Sequence, residues 1–164
     1  MTALFRDDTR TRRPAAALVA RSALLGWAAG ARASLGPAAP TITGAHRPVV
    51  RAVAALGVVG ELIGDKLPNA PSRLDHGGAL VRATAGAIGA SMLAARGRAH
   101  PVVPALAGAV GGLAGAFGGA AWRAWAAGRL PDWQAAVAED VVALTAAAVA
   151  CGARFGAPGV GQVQ

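Results

Sequence analysis

The chain has 164 residues, 54% of them hydrophobic and 15% charged, with a mean hydropathy of +0.45. That balance excludes an ordinary soluble domain, and the length leaves no room for a sizeable soluble domain beside a membrane one. Sixteen basic residues stand against eight acids, but the arginines fall between apolar segments instead of along one stripe. That spacing fits lipid headgroups and the positive-inside rule, so the expected partner is the lipid bilayer, with no nucleic acid.

Residues 1–14 (MTALFRDDTRTRRP) are polar and arginine-rich and read as a disordered cytoplasmic tail. The first apolar region, residues 15–45, is interrupted by Arg21, Arg32, Pro37 and Pro40. It either crosses a membrane while tilted or dips in and returns. Its Ala29-Gly30-Ala31 also has the form of a signal-peptide cleavage site, and Thr11-Arg12-Arg13 faintly that of a twin-arginine signal. Four further segments, 49–64, 77–95, 101–122 and 134–153, are each consistent with a helix. Residues 101–122 carry no charge and are long enough for a hydrocarbon core of ~30 Å at ~1.5 Å per residue.

Pro68 and Pro71 close the second segment, Ser72-Arg73-Leu74-Asp75 has the form of a capping box for the third, and Asp132 is placed to cap the fifth. Trp122, Trp125 and Trp133 mark an aromatic belt at one interface, and residues 154–164 read as a flexible C-terminal tail. The expected fold is an all-α polytopic membrane helix bundle over residues 15–153, with five apolar segments and four or five spans, neighbours in sequence packing antiparallel.

Small residues dominate the apolar text. Gly108, Gly111, Gly112, Gly115, Gly118 and Gly119 contain overlapping G-x-x-x-G spacings, which favour close helix packing within one chain or between subunits. Gly57, Gly60 and Gly64 line a second face open to a close neighbour. The stretch from Gly26 to Gly30 faintly echoes that from Gly115 to Gly119, and an inverted repeat would be a common transporter architecture.

The chemistry collects at one end. If the second to fifth segments alternate in direction, the end of the second, the start of the third, the end of the fourth and the start of the fifth share one membrane face. Glu61 and Glu139 then lie at similar depth, roughly 9 to 10 Å below it. Glu61, Asp65, Lys66, Arg82, Arg123, Glu139 and Asp140 form a candidate vestibule for an ion or substrate, because charges in a low dielectric must be paired, hydrated or used. One reading is a proton or substrate site; the other is ion pairs that fix helix packing.

Other chemistries find little support. His46 and His100 fall on one face and His76 on the other, so no metal site and no cofactor is expected. Ser22, Ser34, Ser72 and Ser91 lack a G-x-S-x-G context, no phosphate-binding glycine loop occurs, and no catalytic residue is assigned. An acid-based intramembrane hydrolase through Glu61 and Glu139 is the one enzymatic reading. Cys151, the single cysteine, reads as a small packing residue.

Three pieces carry a likeness beyond these patterns: Leu24-Leu25-Gly26-Trp27-Ala28-Ala29-Gly30-Ala31-Arg32 with Pro37 downstream; Glu61 with Asp65-Lys66-Leu67-Pro68 and Pro71-Ser72-Arg73; and Leu130-Pro131-Asp132-Trp133 leading to Glu139-Asp140. On them the chain resembles a family of small bacterial integral membrane proteins, domain of unknown function four-one-two-six, with Gly30, Arg32 and Pro68 among the motif residues. The resemblance covers most of the chain beyond residue 20, and E-x-x-x-D-K-x-P is its most specific part. It implies an inner-membrane location and a compact helical fold, and no activity.

The leading functional expectation is a small transporter or channel-like protein, as a monomer or homo-oligomer, with the acidic cluster as its vestibule. The alternative is a structural or accessory membrane protein whose charge network fixes packing and whose glycine face binds a partner membrane helix. The arginine-rich tail places the N-terminus in the cytoplasm. The acidic face is then cytoplasmic if the first region crosses and external if it re-enters.

Overall fold

A computed structural model describes residues 9–64 and 77–152, with side chains from Ala15 onward in the first stretch. Its elements are α1 (Thr9–Ala31), α2 (Leu35–Thr43), α3 (Pro48–Gly64), α4 (Gly78–Arg96), α5 (Val102–Ala126) and α6 (Asp132–Ala150), with no strand among the described residues. Three of them, α4, α5 and α6, are long and apolar enough to cross a membrane. Helix α1 starts at Thr9, inside the stretch read as a tail. Asp65, Lys66, Pro68 and the Ser72 capping box lie outside the described residues, as do residues 1–8 and 153–164.

The five apolar segments become six helices because the first region breaks in two. The Arg32 N–H still donates to Ala28 O at 2.9 Å, but the Leu35 N–H turns back to Arg32 O at 3.0 Å, and a new helix starts. Pro37 suits that start, since the first turn of a helix has N–H groups without intrahelical partners and proline has none to lose. Pro40 lies farther inside α2 and is fully buried.

Helix directions follow from side-chain and backbone neighbours. Arg21 reaches Ala150 while Arg32 reaches Asp140, so α1 and α6 are antiparallel. Gly36 abuts Ala85, and Thr43 accepts from Arg96, so α2 runs with α4 and against α1. The first apolar region is therefore a hairpin that turns at Arg32 and comes back toward its own starting end. The bundle has an arginine end, where α1, α3 and α5 begin, and a carboxylate end, where α4 and α6 begin.

Glycines set the spacing of the interior. Gly26, Gly86 and Gly108 meet at one crossing of α1, α4 and α5, and a Cβ on Gly26 or Gly86 would overlap the Gly108 carbonyl oxygen. Gly30 sits in the same way against Gly112, Gly115 and Ala116. Without water to drive apolar surfaces together, close backbone contact of this kind supplies the van der Waals energy of helix association in lipid. Of the two glycine stretches that faintly echo each other, Gly30 packs against Gly115, and the two run parallel, because the hairpin adds no net crossing between them.

Around this seam the core is mainly alanine, with Leu25, Leu35, Val58 and Leu93 as its larger members. Cys151 packs there as a buried free thiol. Helix α3 stands apart. Its main contact is α2, Val58 is its one buried residue, and Leu56 is 69% exposed. Nothing lies within 4 Å of a Cβ placed on Gly57, Gly60 or Gly64. Among the described residues, no close neighbour occupies the face that this spacing leaves open.

Candidate functional site

The hairpin tip gathers charge because a helix break exposes two opposite partial charges at once. The last carbonyls of α1 and the first N–H groups of α2 lack intrahelical partners, and both are held close together inside the bundle. Side chains from two other helices answer them. Arg82, on the second turn of α4, donates through Nη1 to the carbonyls of Gly30 and Ala31, each at 3.3 Å. Glu61, near the end of α3, accepts the N–H of Ala33 at 2.8 Å and of Ser34 at 2.7 Å, one on each carboxylate oxygen. A cation thus lies on the C-terminus of α1 and an anion on the N-terminus of α2, each with the sign that the helix dipole favours.

Arg82 and Glu61 also face each other, at 3.8 Å between Nη1 and Oε1. That distance is an ion pair beyond hydrogen-bond reach. The Glu61 side chain keeps 18% of its surface exposed, against 10% for Arg82.

A second pair locks the tip from the other side. Arg32, 2% exposed, directs Nε at 2.8 Å and Nη2 at 2.5 Å to the same Oδ1 of Asp140 on α6. A guanidinium buried to this degree requires such a partner, since an uncompensated charge there costs several kcal/mol. Glu139, beside Asp140 in sequence, is 7% exposed and also engaged. The backbone of Gly30 is part of the same construction, because a side chain at that position would strike α5.

Of the residues singled out from sequence, Glu61 and Arg82 meet at the tip, and Asp140 joins it through Arg32. Arg123 does not. It donates Nη2 to Asp132 at 2.7 Å, at the exposed connection between α5 and α6. Asp132 is the first residue of α6 and not its cap: Pro131 holds the cap position, and Gln134 and Ala135 donate to Pro131 O. Around that connection Trp122 stacks on Trp125 at 5.3 Å, Arg129 covers the Trp125 ring, and Trp122 Nε1 donates to Ala135 O at 3.1 Å.

The central part played by Arg32 was legible only as a motif residue. The signal that points to it is its place inside an apolar region, where a charge needs a partner at similar depth. The backbone N–H groups of Ala33 and Ser34 carry no sequence signal at all. The buried hydroxyl of Ser34 has no hydrogen-bond partner among the described residues.

Among the described residues, no group of three or more His, Cys, Asp or Glu is arranged to hold a metal ion. Comparison with protein-family models, with curated proteins and with solved structures finds no match for the chain.

Proposed function

We propose that this chain is a multi-pass inner-membrane protein of the transporter or channel-like kind, with the hairpin tip as its vestibule and Glu61 as the carboxylate that exchanges an ion or proton. The observation that carries this reading is the broken helix: two half-helix ends meet inside an apolar bundle, and the acid on one of them is partly exposed and only loosely held by its arginine. Discontinuous helices whose ends face an ion or substrate are a recurrent construction in secondary transporters.

In this reading α3, α4, α5 and α6 cross, which gives four spans, and α1 with α2 enters and returns. Arg21, Arg47, Arg51, Arg96 and Arg98 then share one side with the arginines of the N-terminal stretch, and the positive-inside rule makes that side the cytoplasm. The vestibule opens outward. Membership of the family that the chain resembles accords with the burial of Gly30 and Arg32, two of its motif residues, and is part of the same proposal.

The burial of Asp140 against Arg32, which directs two N–H donors at its Oδ1, favours a second reading, a membrane scaffold whose charges only fix the hairpin. Proton flux separates the two. In liposomes holding the full chain and a pH-sensitive dye, transport predicts flux above empty liposomes, and Glu61→Gln abolishes it while the elution profile in detergent stays unchanged. Flux equal to that of empty liposomes would remove the transport reading and leave the scaffold.

A further inference from the structure

At the opposite end of the bundle, a cleft of about 590 Å³ opens between the first half of α1 and the last turns of α4. Its walls are of two kinds. Leu18 and Leu93, with Ala15, supply an apolar side, while Arg21 and Arg96 stand at its edge. Both guanidiniums are positioned by the fold. Arg21 donates Nε to Ala150 O, at the end of α6, at 2.6 Å, and Arg96 donates Nη1 and Nη2 to Thr43 Oγ1 at 3.2 and 3.3 Å. A guanidinium has five N–H donors, so these bonds use one on Arg21 and two on Arg96.

Among the described residues, the charge around the cleft has one sign. Every carboxylate among the described residues, Glu61, Asp132, Glu139 and Asp140, belongs to the other end of the bundle or the α5–α6 connection there. Arg98 follows Arg96 at the cleft's end, and α1 runs on beyond it through Arg10, Arg12 and Arg13. Asp7 and Asp8 precede α1 and lie outside the described residues.

We infer that this cleft binds an anionic phospholipid, its phosphate between Arg21 and Arg96 and an acyl chain along Leu18 and Leu93. Charge complementarity and the two-sided lining select that occupant. Two planar forks suit phosphate oxygens, and an apolar wall directly beside them suits a chain that a free phosphate lacks. The inference rests on the membrane placement proposed above and not on transport.

The test is native mass spectrometry of the full-length protein in detergent, titrated with phosphatidylglycerol or with phosphatidylcholine. Phosphatidylglycerol should bind at lower concentration than phosphatidylcholine. The double variant Arg21→Gln/Arg96→Gln should need roughly 30-fold more phosphatidylglycerol, the factor for losing two surface cations near an anionic lipid. Arg21→Lys/Arg96→Lys, which keeps charge and the bond to Ala150 O, should lie between the two and guards against a mere folding defect.

Equal binding of the two lipids would overturn the site. So would an equal loss from Arg47→Gln/Arg51→Gln, because the attraction would then be spread over the whole face. Displacement of phosphatidylglycerol by millimolar inorganic phosphate would overturn the lipid assignment in favour of a soluble phosphate. Loss of the site with proton flux intact removes this inference alone, and loss of flux with lipid binding intact removes only the transport reading.

Discussion

Arg32 with Asp140, and Arg123 with Asp132, are the same contact made twice. One ties the α1–α2 turn to α6 and the other ties α5 to α6, with a shortest N to O distance of 2.5 Å in the first and 2.7 Å in the second. Their surroundings differ. Side-chain exposure is 3% and 11% in the first pair but 32% and 87% in the second. Distance alone therefore says little about what a pair contributes: burial decides whether the arginine, once abandoned, can turn to water.

The largest effect is expected from removing the buried aspartate. Asp140→Ala takes from the buried Arg32 guanidinium the oxygen that accepts two of its N–H groups, and breaking a buried pair from one side costs about 3–5 kcal/mol. The hairpin tip should open, with the folded fraction in detergent falling steeply on thermal unfolding followed by circular dichroism. A loss no larger than that of an exposed pair would show that water already reaches Arg32.

Glycine makes the same point without charge. Gly108 and Gly60 both lie in helices with small-residue spacings, yet a Cβ on Gly108 would meet Ala90 Cβ at 2.6 Å and the Gly86 backbone, whereas one on Gly60 meets nothing within 4 Å. Gly108→Ala should destabilise by about 1–3 kcal/mol, the usual range for overpacking. Gly60→Ala should be neutral or slightly stabilising, because alanine restricts the unfolded chain and favours helix. Should Gly60→Ala instead change the oligomeric state seen by light scattering, the open face of α3 is occupied by another chain.

These pairs also show what sequence can and cannot carry. Helical class and the charged end were legible because acids in apolar text are rare enough to mark their position, and Glu61, Arg82 and Asp140 do converge. The hairpin was legible only as one of two options: Arg32, Pro37 and Pro40 show that the first region is interrupted, not which way the chain leaves the interruption. Spacing in Gly57, Gly60 and Gly64 states what approach a helix permits and not whether a neighbour arrives. Asp132 has the residue type of a cap, but α6 begins at Asp132 itself with Pro131 at the cap position, and its carboxylate pairs with Arg123.

The smallest effect belongs to the exposed pair. Arg123→Gln removes a contact whose charges are largely hydrated, and such pairs contribute about 0–1 kcal/mol. Asp132 loses an attraction and regains water, so nothing is left stranded. The residual difference should shrink further as salt rises, since the Debye length falls from about 10 Å at 0.1 M to about 3 Å at 1 M. Thermal unfolding of the wild type and Arg123→Gln at these two salt concentrations should therefore converge, while Asp140→Ala keeps its deficit at both. If Arg123→Gln instead loses as much as Asp140→Ala and salt leaves that loss unchanged, the α5–α6 connection is shielded from water by lipid or by a second chain, and the two pairs are alike in burial after all.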